Sequence, residues 1–329
     1  MKIAAIAFTD RGMEVGERLR KDFDMTLARC PEGGLSLWTE TNFMAADALL
    51  FIGAAGIAVR AVAPYIRSKT ADPAVVVMDE LGSYAIPLLS GHIGGANDLA
   101  VRFARCAGAL PVITTATDIN GVFAVDSWAK SQGLTIANPE RIKWISARLL
   151  AGETIRIKSL FPVVGNTPPG VVLGGRDYDV LITYRRSGKA GALRLIAPAV
   201  ILGIGCKRGI DADTIEAAFK RLMGKTGCSE AALCCAASID RKAVEPGILE
   251  FCRRHGLPFH TFSAAELAEA PGKFSASEFV KNVTGVDNVC ERSAVLAGGR
   301  RLLAKKEAGS GVTMALAVKE LALSFMEEA

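Results

Sequence analysis

The chain has 329 residues, half of them hydrophobic and 22% charged, with a formal net charge of +5. That mixture excludes a disordered or low-complexity chain and suits about two globular domains. The longest apolar run, Ala48 to Val59, has 12 residues, short of the roughly 20 a membrane helix needs, and the run after Lys2 is too short for a secretory signal.

In chain order, Ile3 to Phe8 is the first strand candidate and a charged stretch follows to about Lys21. Ala48 to Ile52 is a second strand, running into Gly53-Ala54-Ala55-Gly56 and a helical stretch to about Ile66. Ala74 to Met78 and Tyr84 to Leu89 read as strands, Gly94 to Ala107 as a helix and Leu110 to Thr114 as a strand. Leu99, Phe103 and Cys106 share one face of that helix by their spacing. Strands alternating with helices predict an α/β layer with a largely parallel sheet over 1–125.

The middle of the chain reads differently. Asn138-Pro139 is a helix start that runs to Gly152, and Thr154 to Lys158 alternates as a half-buried strand does. Turn signals at Pro168-Pro169-Gly170 and Ser187-Gly188-Lys189 separate short runs at 171–174, 179–184 and 193–196. These predict a small antiparallel set, so 126–197 is expected to be a small α+β domain. It is also where the basic excess lies. Residues 1–125 hold 11 Lys/Arg and 13 Asp/Glu, 126–197 hold 11 and 5, and 198–329 hold 17 and 16.

From Val200 the α/β pattern returns over 198–329. Strands are predicted at 200–203, 231–237, 258–262 and 311–317, with helices after Asp213-Thr214-Ile215-Glu216, read as a capping box, and from Pro246 to His255. The fold class expected is therefore two α/β domains with largely parallel sheets flanking a small α+β middle domain.

Eight cysteines make no C-x-x-C pair, and three histidines show no H-E-x-x-H spacing. Reduced thiols in a cytoplasmic protein, and no protein-built metal site, are the expectation. Gly91-His92-Ile93-Gly94-Gly95-Ala96-Asn97 is a Gly-rich strand-to-helix turn. Small residues there admit close approach to the backbone, and first-turn amides favour an anion or a developing oxyanion. His92 at its mouth has an unperturbed pKa suited to proton transfer. Gly53 and Gly56 form another such turn, with Arg60 one turn in, and Thr114-Thr115-Ala116-Thr117-Asp118 is a third. In a parallel sheet all three are expected to share the carboxyl edge and form one cleft. Gly203-Ile204-Gly205-Cys206-Lys207-Arg208-Gly209 nearly imitates a dinucleotide fingerprint. Its last glycine is one residue late, and Met223 to Lys225 lacks the acid expected about 20 residues on. Lys207 and Arg208 there suit carboxylates better than NAD or FAD. Asp240 and Lys242, in Ser238-Ile239-Asp240-Arg241-Lys242, close the next strand and are expected to face the same cleft. No phosphate loop and no G-x-S-x-G nucleophile elbow occur.

Gly53–Arg60, Ser90–Asn97 and Pro111–Asp118 resemble the CbiG family of cobalamin biosynthesis proteins, the cobalt-precorrin 5A hydrolases. Leu202–Gly209, Ser238–Lys242 and Val312–Ala317 are similar to that family's carboxyl-terminal domain. The resemblance spans nearly the whole chain. It implies an enzyme that opens the ring-A δ-lactone of a cobalt tetrapyrrole with water and releases acetaldehyde, in the anaerobic cobalamin pathway. It implies no cofactor, since cobalt is carried by the substrate, and a polycarboxylate macrocycle as the small-molecule partner. The middle domain's charge agrees with such a ligand. On this reading His92 activates water or shuttles a proton, with contact to the substrate's cobalt left open. Asp118, with Thr115 or Thr117, orients His92 or acts as base in the fragmentation step. Amides of Gly94, Gly95 and Ala96 hold an oxyanion, and Arg60, Lys207 and Arg208 hold carboxylates. Gly53, Gly56, Gly91, Asn97, Thr114, Gly203, Gly205, Asp240 and Lys242 are expected to line the substrate. A non-catalytic tetrapyrrole carrier is the alternative. A nucleic-acid or membrane partner is not expected, and self-association or transient contact with neighbouring pathway enzymes is left open.

Overall fold

A computed structural model describes residues 1–68, 71–92 and 94–325. Ile93, within the Gly-rich turn, and the last four residues of the carboxyl-terminal domain lie outside the described residues. The chain divides into two units, Met1–Lys130 with Leu149–Ala151, and Ser131–Arg148 with Gly152–Ala329.

In the first unit, in chain order, stand β1 (Ile3–Ala7), α1 (Asp10–Leu19), β2 (Met25–Arg29), α2 (Leu35–Phe43), β3 (Ala48–Ile52) and α3 (Ala55–Val62). They are followed by β4 (Ala74–Met78), β5 (Tyr84–Leu89), α4 (Ala96–Ala107), β6 (Leu110–Pro111), α5 (Ala116–Ile119) and α6 (Val125–Ser131). The six strands form one sheet in the order β2-β1-β3-β4-β5-β6. Every residue of β1, β3 and β4 is buried, as a sheet covered on both faces requires. Ile3, Ala5 and Ala7 pack under α1 and α4 with Val15, Leu19, Leu99 and Phe103. Ala4 and Ile6 face the other way, onto Phe43, Ala58 and Val62.

One expectation fails in a way that matters for the site. β1 to β4 are parallel, but β5 runs against β4, pairing Leu89 with Val75 and Ala85 with Met78. β6 is parallel to β5. The cause is local. Only Asp79 to Ser83 separate β4 from β5, and so short a link closes a hairpin, whereas a parallel neighbour needs a crossover. Asp79 tightens it by accepting the N–H groups of Leu81, Ser83 and Tyr84, with Gly82 at φ +69. The carboxyl ends of β5 and β6 therefore lie at the edge where β1, β3 and β4 begin.

The second unit holds β7 (Thr135–Ile136), all but the last two residues of α7 (Ile142–Leu150), β8 (Ile155–Ser159), β9 (Val163–Val164), β10 (Val171–Leu173), β11 (Val180–Thr183) and β12 (Leu193–Ile196). The sheet order is β10-β8-β11-β12-β7. β10, β8, β11 and β12 are parallel, and only β7 is antiparallel; this corrects the antiparallel set expected at 171–196. Strands of three to five residues span about 10–17 Å, so six- to eleven-residue links can return without a helix. Asn138 is not the cap it resembles: its side chain donates to Ala192 O and accepts Arg194 N–H, tying the turn to β12.

After these come β13 (Val200–Cys206), α8 (Ala212–Thr226), β14 (Leu233–Ile239), α9 (Pro246–His255), β15 (Phe259–Phe262), α10 (Ala264–Glu269), α11 (Glu278–Thr284) and α12 (Cys290–Leu296). They end with β16 (Gly299–Gly309), β17 (Val312–Lys319) and β18 (Leu323–Ser324), the last paired with β9. The sheet order is β15-β14-β13-β17-β16, with β13 to β15 parallel and β17 and β16 antiparallel. Ser310 and Gly311 both have positive φ, 51° and 77°, the signature of a tight hairpin. The cap of α8 is Asp211, not Asp213: its carboxylate accepts Thr214 N–H at 2.7 Å. Among the described residues no helix is long and apolar enough to cross a membrane.

Gly203 is set by packing. A Cβ there would stand 1.7 Å from Cys290 O, where α12 lies on β13. Gly203→Ala is expected to cost on the order of 3 kcal/mol, read as a lower denaturant midpoint. An unchanged midpoint would show that α12 can move away freely.

Candidate functional site

At the carboxyl end of β5 the chain turns sharply. Ser90 has φ 56°, an uncommon conformation for a residue with a side chain, and its hydroxyl donates to Asp72 O at 3.0 Å. Asn97 N–H donates to Gly91 O, Ala96 N–H to Ser90 O and Gly95 N–H to His92 O, at 3.0, 3.1 and 3.0 Å. The amides of Gly95 and Ala96 thus close the turn itself. That corrects the expectation that they are presented to an oxyanion, because an N–H already bonded in the turn is not a ready donor. The glycines serve close approach. A Cβ at Gly91 would meet Asn97 Oδ1 at 2.6 Å, and one at Gly94 would meet Ser90 Cβ at 2.2 Å.

This turn aims His92 and Asn97 at the loop after β6 and at α5. Asn97 is buried, and its Nδ2 donates to Thr115 Oγ1 at 3.0 Å and to Asp118 Oδ2 at 2.6 Å. His92 Nε2 lies 3.0 Å from the same Asp118 oxygen and 3.2 Å from Thr117 Oγ1. Its Nδ1 lies 3.5 Å from Asp126 Oδ2, in the first turn of α6. The imidazole therefore stands between two carboxylates. Asp118 is 37% exposed and Asp126 only 6%, so one side of the array is open and the other closed.

Burial decides which carboxylate matters more for the charge. The His92 pKa is raised from 6.5 to about 9, chiefly by its contact with Asp126, with burial opposing and Asp118 adding a smaller push. Asp126 is nearer the interior, where water screens its charge less. Burial alone would raise the Asp126 carboxyl. The hydrogen bond and charge of His92, with the backbone amides of Asp126 and Ser127, carry it below the ordinary carboxylate range. At neutral pH His92 is an imidazolium, a proton donor rather than a ready base.

Of the residues expected at one cleft in this unit, His92, Asn97, Thr115, Thr117 and Asp118 are brought together. Thr114 lies on the exposed loop before them and makes none of these contacts. Gly53, Gly56 and Arg60 are not part of the cluster. They follow β3 at its carboxyl end, the opposite edge of the sheet from Ser90, because β5 runs antiparallel. Gly53 makes room for the Phe8 ring, 2.6 Å from where its Cβ would stand, and the Arg60 guanidinium folds back over Gly56. Asp126 is the residue that sequence reasoning missed. The signal available was an acid in the first turn of the next helix, Val125 to Ser131.

In the second unit, Lys207, Arg208, Asp240 and Lys242 follow the carboxyl ends of β13 and β14 and so share an edge. Lys242 meets a buried acid that was not foreseen. Glu245 accepts Gly209 N–H at 2.7 Å and pairs with Lys242 Nζ at 2.5 Å. Burial opposes its ionisation, but Lys242, the Gly209 amide and Arg208 together hold its pKa below the usual range. Lys242 is thereby committed to an internal ion pair. Lys207 N–H donates to Gly311 O at the β16–β17 turn, and Asp240 accepts Arg241 N–H. Gly205 is placed for packing, since a Cβ there would meet Thr313 Oγ1 at 2.6 Å. Among the described residues no three His, Cys, Asp or Glu side chains are grouped to hold a metal ion.

Comparisons with known proteins match two family profiles: cobalamin synthesis G N-terminal over residues 38–118 and cobalamin synthesis G C-terminus over 200–317. The first includes His92 and Asp118 and ends before Asp126. A cobalt-precorrin-5A hydrolase of Salmonella typhimurium is 33% identical over 302 residues, 87% of this chain and 86% of that protein. Another, of Priestia megaterium, is 28% identical over 354 residues, 96% and 94% of the two chains. A solved structure of a cobalamin biosynthesis protein G homologue from Sulfolobus solfataricus covers 97% of both chains at 24% identity, with a TM-score of 0.41.

Proposed function

The chain belongs to the cobalamin synthesis G family, and we propose on that basis that it is a cobalt-precorrin-5A hydrolase whose reacting groups are His92 and Asp118, positioned by Asp126 and Asn97. The names carried by its relatives support the substrate. The observation that carries the chemistry is the imidazole held between an open and a buried carboxylate, 3.0 and 3.5 Å away.

The reaction is the opening of the ring-A δ-lactone by water and loss of a two-carbon fragment as acetaldehyde. Asp118 is the base. His92 and Asn97 both bond its Oδ2, which leaves Oδ1 to take a proton from the attacking water. His92, charged at neutral pH, stabilises the negative oxygen of the tetrahedral intermediate and gives its Nε2 proton to the oxygen expelled from the lactone. Thr117, 3.2 Å from Nε2, can pass that proton on. The imidazole, now neutral, takes the hydroxyl proton back as the carbon–carbon bond opens. The aldehyde carbonyl forms, and the bonding pair passes into the macrocycle. With Nδ1 turned to Asp126 and Nε2 to Asp118, His92 acts through protons rather than as a ligand of the substrate's cobalt.

The direct test is anaerobic incubation of the purified protein with cobalt-precorrin 5A, reading acetaldehyde with an alcohol dehydrogenase couple. Stoichiometric, repeated release is expected. Binding of the macrocycle without product would identify a carrier instead.

A further inference from the structure

A cavity of about 520 Å³ opens at the edge of the first unit's sheet where β1, β3 and β4 begin. Its wall includes Gly94, from the turn that carries His92, and Lys130, four residues after Asp126 and on the same face of α6. The Lys130 ammonium lies against that turn: a Cβ added at Gly95 would stand 3.2 Å from Nζ. Arg67 is the second cation of the wall, and Phe43 and Met44 supply hydrocarbon.

The two acids of the wall each accept backbone N–H groups: Asp72 accepts that of Arg67 with both oxygens at 3.1 Å, and Asp47 accepts that of Lys2 with one, at 2.7 Å. The Arg67 guanidinium and the Lys130 ammonium, in contrast, make no ion pair with any described residue. Two cationic donors with no ion pair among the described residues, beside an apolar wall, suit an anion attached to a hydrophobic body, and carboxylates fit such donors. The volume falls within the range of small-molecule sites and suits side arms and one flank of a macrocycle rather than the whole ring.

We propose that this cavity anchors carboxylate arms of the macrocyclic substrate, with Arg67 and Lys130 as specificity-determining residues that set the lactone against His92 and Asp118. The proposal rests on the hydrolase reading above. Anchoring is uniform binding, felt equally by ground and transition states, so its loss raises KM and spares kcat.

The test uses the full chain and two readouts. In the first, uroporphyrin I, a porphyrin with eight carboxylates, is titrated by fluorescence. Arg67→Gln and Lys130→Met should each weaken binding by roughly tenfold, a size expected for a lost charged hydrogen bond. The double variant should weaken it by about the product of the two. In the second, KM for cobalt-precorrin 5A should rise by a similar factor in each variant, with kcat within about threefold of wild type. A double variant that binds uroporphyrin and substrate as wild type does would overturn the proposal, even with acetaldehyde release intact. Wild-type protein that binds uroporphyrin through Arg67 and Lys130 but releases no acetaldehyde would sink the hydrolase reading and leave the anion site standing.

Discussion

Replacing His92 with alanine is expected to lower acetaldehyde release by roughly 10³-fold, the range of a lost general acid. The same change leaves Asp126, 6% exposed, without its cation, and an unpaired buried charge costs about 3–5 kcal/mol. Activity and stability should therefore fall together in His92→Ala. The double variant His92→Ala/Asp126→Asn separates them, because the asparagine removes the buried charge. Its melting temperature should return toward wild type while release stays low. Turnover within about threefold of wild type in either variant would take His92 out of the chemistry.

Asp126→Asn alone is expected to move the alkaline limb of the kcat profile to lower pH. Asp126 is the largest contribution raising His92 from 6.5 to about 9. Without it the imidazole returns toward its ordinary value and loses its proton earlier. At pH 8 a group of pKa 9 is mostly protonated and one of 6.5 is almost wholly neutral, so kcat there should fall by up to roughly 30-fold. Much of the loss should be recovered near pH 6, which a merely structural defect would not allow. A limb that stays near pH 9 would show that Asp126 does not hold the proton on His92.

Stability should follow the same groups. The His92 pKa is higher folded than unfolded, so its contribution is fully present below about pH 6.5 and is lost as pH rises through about 9. The rise corresponds to about 3 kcal/mol as an order of magnitude. Asp126 works in the other direction. Its folded pKa is depressed, so its contribution is present above the ordinary carboxylate range and is lost in acid as pH falls through the folded value.

Much of the fold was legible because its core strands are uninterrupted apolar runs. Ala48–Ile52 and Ala74–Met78 stand where their composition puts them, buried throughout. What escaped was carried by charged or half-exposed chain. β2 buries only Met25 among Met25–Arg29, and β16, Gly-Arg-Arg-Leu-Leu-Ala-Lys-Lys-Glu-Ala-Gly, is an edge strand that buries only Gly299 and exposes Arg300, Arg301 and Lys305. Neither shows the alternation that marks a half-buried strand. At the site, the Gly-rich turn announced His92 and Asn97, and Thr-Thr-Ala-Thr-Asp announced Thr115, Thr117 and Asp118. The grouping of those loops with Arg60 failed because it assumed one strand direction throughout.

By itself the sequence determined which residue types sit at which turns: glycines where Asn97 and Ser90 crowd the backbone, an imidazole three residues beyond a strand, an acid in the first turn of a short helix. Those are local consequences of side-chain volume and backbone freedom, and neighbours in the chain suffice to impose them. Only the tertiary structure decided that the β4–β5 hairpin turns the His92 loop to the opposite edge from Arg60. It also decided that Asp126, far along the chain, closes on Nδ1 and keeps the imidazole charged. Electrostatic coupling depends on distance through space and on exclusion of water, and neither is written in the order of residues.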